Sequence, residues 1–244
     1  MELIQTSGLL TTEQRVDEFG VTPQTIRRDL NELARQNRLR RHHGGAGVDS
    51  STANTAYQQR KIMNLEAKER IANALVQHMP DNASMFINIG TTTETIAKAL
   101  LQKRGLSIVT NNLHVASILS AKEDFHIIIA GGEVRNRDGG IVGEAAVDFI
   151  NQFKMDYGII GISGIHPDGS LLDFDYREVR VAQSIIANST EVLLAADHSK
   201  FGRNAMVRLG SIGQAHHLFT DAPPPGKIRK LLETNGVELH ITDK

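Results

Sequence analysis

The chain contains no cysteine among its 244 residues. That excludes disulfides and thiolate metal sites and is compatible with a reducing compartment. Long apolar runs are missing as well. HIIIAGG and YGIIGISG are strand-length, far short of the roughly 20 residues that cross a bilayer. No basic leader followed by an apolar block is visible, so a cytoplasmic chain without membrane contact is expected. Several chemical signatures are absent. There is no GxGxxG fingerprint and no GxxxxGK[ST] loop, so neither dinucleotide nor P-loop nucleotide binding is indicated. No GxSxG elbow occurs, and Asp197, His198 and Ser199 are chain neighbours, an arrangement that rarely reaches triad geometry. The ten histidines include no HxxxH or HExxH pair, so neither a metal site nor a cofactor is expected.

Net charge is nearly absent too, at -1, but it is unevenly spread. Between Arg27 and His43, six arginines (Arg27, Arg28, Arg35, Arg38, Arg40, Arg41) stand against Asp29 and Glu32 alone. A basic end on a neutral chain points to one polyanion-binding region. The local pattern says how that region is built. A short helix is expected from about Thr12 to Phe19, with Val16 and Phe19 facing inward, and Gly20 stops it. Thr22 is then an N-cap candidate and Pro23 sits at the first helical position. The second helix runs to about Ala34 with Ile26, Leu30 and Leu33 on its buried stripe. Its other face carries Gln24, Thr25, Arg27 and Arg28 near the N-terminal end, where a recognition helix meets base edges. The following LRRHHGGA alternates Leu39 with arginines and breaks at a glycine pair, which suits a β-ribbon lying along phosphates.

Residues 46–60 are small and polar and read as a linker between a domain at 1–45 and another at 61–244. In the second domain, MNLEAKERIANALVQHM has helical spacing at Leu65, Ile71, Leu75 and Val76. Strand-like runs (SMFINI, LSIVTN, FHIIIAG, YGIIGI, EVLLAA, HHLFTD, VELHIT) then alternate with helical ones. That alternation predicts an α/β domain with a largely parallel sheet, whose ligands lie at the carboxyl ends of the strands. Those ends read Gly90-Thr91-Thr92-Thr93, Thr110-Asn111-Asn112, Gly131-Gly132-Glu133, Gly161-Ile162-Ser163-Gly164 and Asp197-His198-Ser199-Lys200. A glycine turn feeding threonines into a helix N-terminus suits an anion, most naturally a phosphate; a plain threonine cap is equally compatible with it. Hydroxyls, amides, one carboxylate and one lysine together would suit a small phosphorylated polyol.

TPQTIRRDLNELA followed by LRRHHGGA resembles the winged helix–turn–helix of the DeoR-type family of bacterial transcriptional repressors. The second half is similar to that family's sensor domain, which shares its fold with ribose-5-phosphate isomerases, so the resemblance spans the chain. It implies a repressor, not an enzyme, that binds double-stranded operator DNA as a dimer or larger homo-oligomer. It implies DNA contacts from Thr22, Gln24, Thr25, Arg27, Arg28, Arg40, Arg41 and His42. It further implies a small phosphorylated effector; NIGTTTETIAKALL, DFDYREV and DHSKFGRNAMV point to family members that answer to glycerol 3-phosphate. On that basis Gly90, Thr91, Thr92, Thr93 and Lys200 hold the phosphate, with Asn111 and Gly132 nearby. Asp173, Asp175, Glu178 and Asp197 face the hydroxyls. The competing reading is an isomerase with an accessory N-terminal segment. It is disfavoured because isomerases of this fold carry a carboxylate-rich loop where this chain has GISGI, and proton transfer needs those groups. The family also places a full helix ahead of the one near Thr12. Only Met1 to Thr6 precede Ser7-Gly8 here, too few for a self-supporting helix, so a truncated or marginally folded DNA-binding domain is expected.

Overall fold

The computed structural model describes residues 9–11, 16, 18–35, 40–42, 45–47 and 50–242. The chain divides into two compact units, Met1–Asn64 and Leu65–Lys244. The expectation of a shortened opening helix falls on residues 1–8, outside the described ones.

The first unit holds strand β1 (Leu9–Thr11), helix α1 (Pro23–Arg35), strands β2 (Arg40–His42) and β3 (Gly45–Gly47), and helix α2 (Tyr57–Ile62). Val16, Glu18 and Phe19 are helical. Gly20 takes φ +60° and returns its N–H to the Val16 carbonyl at 3.0 Å, the left-handed stop that glycine permits. Thr22 accepts the Thr25 N–H on its hydroxyl at 3.3 Å, capping the start of α1. Ile26 and Leu30 are buried, with Val16, Val21 and Leu33 packed on them. Phe19 does not face inward as the spacing suggested; it is 54% exposed, and Val21 joins Val16 in the cluster instead. The strands form one antiparallel sheet in the order β1-β3-β2. The stretch read as a linker is partly structured, since β3 takes in Ala46 and Gly47 and α2 begins at Tyr57.

The second unit runs α3 (Leu65–His78), β4 (Ser84–Ile87), α4 (Thr91–Leu100), β5 (Ser107–Thr110), α5 (Leu113–Leu119), β6 (His126–Ile129), β7 (Glu133–Arg135), β8 (Gly140–Val142), α6 (Glu144–Ile150), β9 (Met155–Gly161), β10 (Gly164–Ile165), β11 (Ser170–Asp173), α7 (Tyr176–Ala187), β12 (Ser189–Ala195), β13 (Val207–Ser211), β14 (His217–Thr220), α8 (Gly226–Asn235) and β15 (Glu238–Ile241). Seven strands make a parallel sheet ordered β15-β14-β12-β9-β4-β5-β6. Its two faces bury different residues, following the period of two along each strand. Met85 and Ile87 join Ile71, Leu75, Ile96 and Leu119 on one side. Phe86 joins Ile150, Val181, Ile185 and Leu232 on the other. Helices therefore cover both faces, which explains why the strands read as nearly continuous apolar runs. Leu65, expected on the buried stripe of α3, is 39% exposed. No helix among the described residues is long and apolar enough to cross a membrane.

Chain order reverses between β4 and β9: β5 and β6 lie to one side, β12, β14 and β15 to the other. Such a reversal opens a crevice at the carboxyl ends of the two strands. Two small sheets stand beside the main one, the β7–β8 hairpin and the antiparallel set β10-β11-β13. The hairpin is fixed by close backbone approach. Gly132 has φ +147°, and a Cβ there would meet the Val142 carbonyl oxygen at 2.8 Å. Gly132→Ala is expected to lower stability by about 1–3 kcal/mol, read as a shift in the urea midpoint of the full chain.

Candidate functional site

The basic face of the first unit sits at the start of α1. No acidic residue occupies the first helical turn, and Thr22, Gln24, Arg27 and Arg28 are exposed. Thr25 is half-buried, its hydroxyl 3.0 Å from that of Thr22. Arg28 lies 3.9 Å from Asp29 with both side chains exposed, a contact of little energetic weight. A positive helix end free of carboxylates favours polyanions. Arg40, Arg41 and His42 make up β2, antiparallel to β3; their side chains lie outside the described ones.

The second site is the crevice between β4 and β9. After β4, the chain turns at Gly90 (φ +150°) and enters α4 with no side-chain cap. The Glu94 N–H closes the first turn on the Gly90 carbonyl at 3.0 Å, and the helix begins at the carboxyl end of β4, where a helix N-terminus favours an anion. Lys68, on α3, is 3% exposed and donates to the Thr91 hydroxyl at 3.1 Å. After β12, Asp197 is 1% exposed and accepts from the Ser199 N–H at 3.0 Å and hydroxyl at 2.5 Å. Lys200 stands 3.9 Å from the Asp197 carboxylate. Burial pushes the Asp197 carboxyl up, but Lys200, Ser199 and Lys68 outweigh it and hold the group below its ordinary value. Two ammonium groups, the Asp197 carboxylate and a helix N-terminus meet at the crevice, and a second buried carboxylate, Glu94, lies in the first turn of α4. The crevice can grip a phosphate and still offer a carboxylate to a hydroxyl.

The other expected site residues divide. Thr92 is buried in the same first turn of α4. Thr93 belongs to the loop's own bracing: its hydroxyl donates to the carbonyls of Asn88 at 2.8 Å and Gly90 at 2.7 Å. Asn111 donates its amide to the Ile141 carbonyl at 3.1 Å, while its Oδ1 has no hydrogen-bond partner among the described residues. Gly132 serves the hairpin by its lack of a side chain. Asp173 accepts from the Ser163 hydroxyl at 3.0 Å and the Phe174 N–H at 2.7 Å.

Asp175 and Glu178 are held by a group the sequence reading passed over. Buried Arg135 donates to Asp138 at 2.8 and 2.9 Å, to Asp175 at 3.0 Å and to Glu178 at 2.7 Å. Burial opposes the Arg135 charge, but Glu178 and Asp138 raise its pKa further above the ordinary value. Asp175 also caps α7 through the Arg177 N–H. Burial works against its charge, yet Arg135 and Arg177 keep its pKa below the ordinary value. One guanidinium shared among three carboxyls cannot compensate all of them. Glu178, buried and beside Asp173, is pushed up to about 8 despite Arg135. No hydrolytic triad forms either. His198 pairs with Asp221 at 2.7 Å, whereas Ser199 bonds directly to Asp197.

Residues 63–222 match the DeoR C-terminal sensor domain, and residues 1–52 match the DeoR-like helix–turn–helix domain. The chain belongs to the DeoR family. It is similar over nearly its whole length to the glycerol-3-phosphate regulon repressor of Escherichia coli K12, with 55% identity over 99% of this chain and 96% of that protein. It is 51% identical to the glycerol-3-phosphate regulon repressor of Haemophilus influenzae over 96% and 91% of the two chains. Among solved structures, eIF2B delta of Chaetomium thermophilum shares the α/β fold. It matches at a TM-score of 0.50 and 12% identity, over 68% of this chain and 58% of that one. As a DeoR-family member the chain is a transcriptional repressor and not an isomerase.

Proposed function

We propose that this DeoR-family repressor binds operator DNA through the start of α1 and the β2–β3 ribbon and leaves it on binding glycerol 3-phosphate. The observation that carries the effector reading is the cluster of buried Lys68, Thr91 and Asp197 with half-buried Lys200 at the crevice. The lysines and the N-terminus of α4 take the phosphate, and Asp197 takes a hydroxyl. The name of the 55%-identical relative supports glycerol 3-phosphate among such compounds. Linkage supplies the mechanism. A ligand that prefers the DNA-incompetent arrangement weakens DNA binding by the same factor by which DNA weakens it, about 5- to 150-fold. Operators with two-fold symmetry pair with dimeric helix–turn–helix proteins, so a homo-oligomer is the working assembly.

Anisotropy titrations on operator DNA, with and without effector, test both halves. Arg28→Ala is expected to flatten the salt slope by roughly 0.9 unit if one phosphate contact is lost, and to cost about 1–3 kcal/mol of sequence discrimination if a base contact is lost. Unchanged binding would remove Arg28 from the interface. Stabilisation by ribose or fructose phosphates, with none from glycerol 3-phosphate, would overturn the effector and leave the repressor intact.

A further inference from the structure

The opposite end of the sheet, at the amino termini of the strands, carries a second cluster unconnected with DNA or effector. His78 is the last residue of α3, His217 opens β14 and His240 is the third residue of β15. Each offers one ring nitrogen to a group whose atoms all lie within 4.8 Å of one another. We propose that these three imidazoles form a binding site for a divalent transition-metal ion, with Glu238 as the fourth ligand.

The spacing supports it. His217 Nδ1 lies 3.1 Å from His240 Nε2, close to the roughly 3.3–3.4 Å separating two imidazole nitrogens on a tetrahedral ion with bonds of about 2.0–2.1 Å. Glu238 presents carboxylate oxygens 3.4 Å from His217 Nδ1 and 3.5 Å from His240 Nε2. The far nitrogen of His217, Nε2, faces the Glu191 carboxylate at 3.4 Å, and His78 Nε2 lies 4.0 Å from the same carboxylate. A metal-bound histidine commonly directs its second nitrogen to a carboxylate, which fixes tautomer and ring orientation. His240 is already oriented, because its ring stacks on buried Phe219 at 4.3 Å between centroids and 7° between planes. His217 and His240 are half-buried and His78 is exposed, which leaves a route for the ion from solvent. Three nitrogens and one oxygen suit zinc, nickel or copper and disfavour magnesium and calcium, which take oxygen ligands. A bound ion would join the last strand of the chain to the first helix of its unit. The ligands are dispersed over residues 78 to 240, so the short-range spacings that signal metal sites in sequence could not reveal them.

The test uses the full chain stripped with chelator. Calorimetry with Zn²⁺ alone should give one ion per chain, and Co²⁺ should give the intense visible absorption of a four-coordinate ion. His78→Gln and His240→Gln should each weaken Zn²⁺ binding at least tenfold with unchanged circular dichroism. His126→Gln, at an exposed position outside the cluster, should bind as the parent does. If His240→Gln fails to fold, His78→Gln at the exposed helix end decides alone. Absence of saturable Zn²⁺ binding at one equivalent, or parental affinity in His78→Gln, would overturn the site and leave the cluster as histidine–carboxylate ion pairs.

Discussion

Lys68→Met is expected to give a folded repressor that stays on its operator when effector is added. The ammonium is buried and donates to the Thr91 hydroxyl at the mouth of α4, beside the proposed phosphate position. A hydrogen bond to a charged group contributes about 1.5–3 kcal/mol. Its removal should weaken glycerol 3-phosphate roughly ten- to a hundredfold in calorimetry. Methionine matches the length and apolar stem of lysine, and Asp197 keeps Lys200 and Ser199 as partners, so the fold should survive. Operator affinity without effector should be unchanged. Parental effector affinity in this variant would rule out the crevice as the phosphate site. Lys200→Ala should have a smaller effect, because Lys200 stands 3.9 Å from Asp197 and is more exposed than Lys68.

The largest expected effect on stability belongs to Arg135→Met. This guanidinium holds Asp138, Asp175 and Glu178 together. Deleting one partner of a buried ion pair costs about 3–5 kcal/mol, because the other charge is left uncompensated. That is a large share of the about 5–15 kcal/mol that stabilises a typical domain. Urea unfolding of the full chain should show it, together with earlier proteolysis near the β7–β8 hairpin. Glu178→Gln should behave differently. With its carboxyl pushed from 4.5 up to about 8, the folded state binds more protons than the unfolded state throughout that window. Stability from this group is therefore present at low pH and lost as pH rises from about 4.5 to about 8. Glutamine should preserve stability at pH 7 and flatten that decline. A decline as steep as the parent's would show that Glu178 is ionised throughout.

The sequence shows the main sheet because both faces of every central strand are covered, so apolar runs such as SMFI and VLLA stand out between helical stretches. It shows α1 because Thr22, Pro23 and the Ile26–Leu30–Leu33 stripe agree with one another. It does not show the hairpin or the β10-β11-β13 set, whose strands are two to five residues long and mostly lack apolar alternation. The crevice was half legible. Gly90, Thr91 and Asp197 follow strands and signal a strand-end site. Lys68 was hidden in a helix read only for its apolar positions, although it shares the buried stripe with Ile71, Ala72 and Leu75. A lysine on such a stripe is itself a signal, because burying a charge is costly unless something pairs with it. Asp175 and Glu178 looked available because Arg135 lies 40 and 43 residues away. A carboxylate in a loop gives no hint that a distant guanidinium holds it.

The pairing of β4 with β9 also governs when the sensor can work. Ser84 donates its N–H and its hydroxyl to the Asp156 carboxylate at 2.9 and 2.7 Å, and the two residues lie 72 positions apart. Everything from α4 to α6 must be synthesised before these strands can meet, and pairings this distant in the chain form slowly because the loop must close first. The crevice floor therefore cannot form until β9 has been synthesised. A chain still emerging from the ribosome can complete its helix–turn–helix before the crevice exists. The β4–β9 pairing therefore separates the time at which the first unit is complete from the time at which the crevice exists.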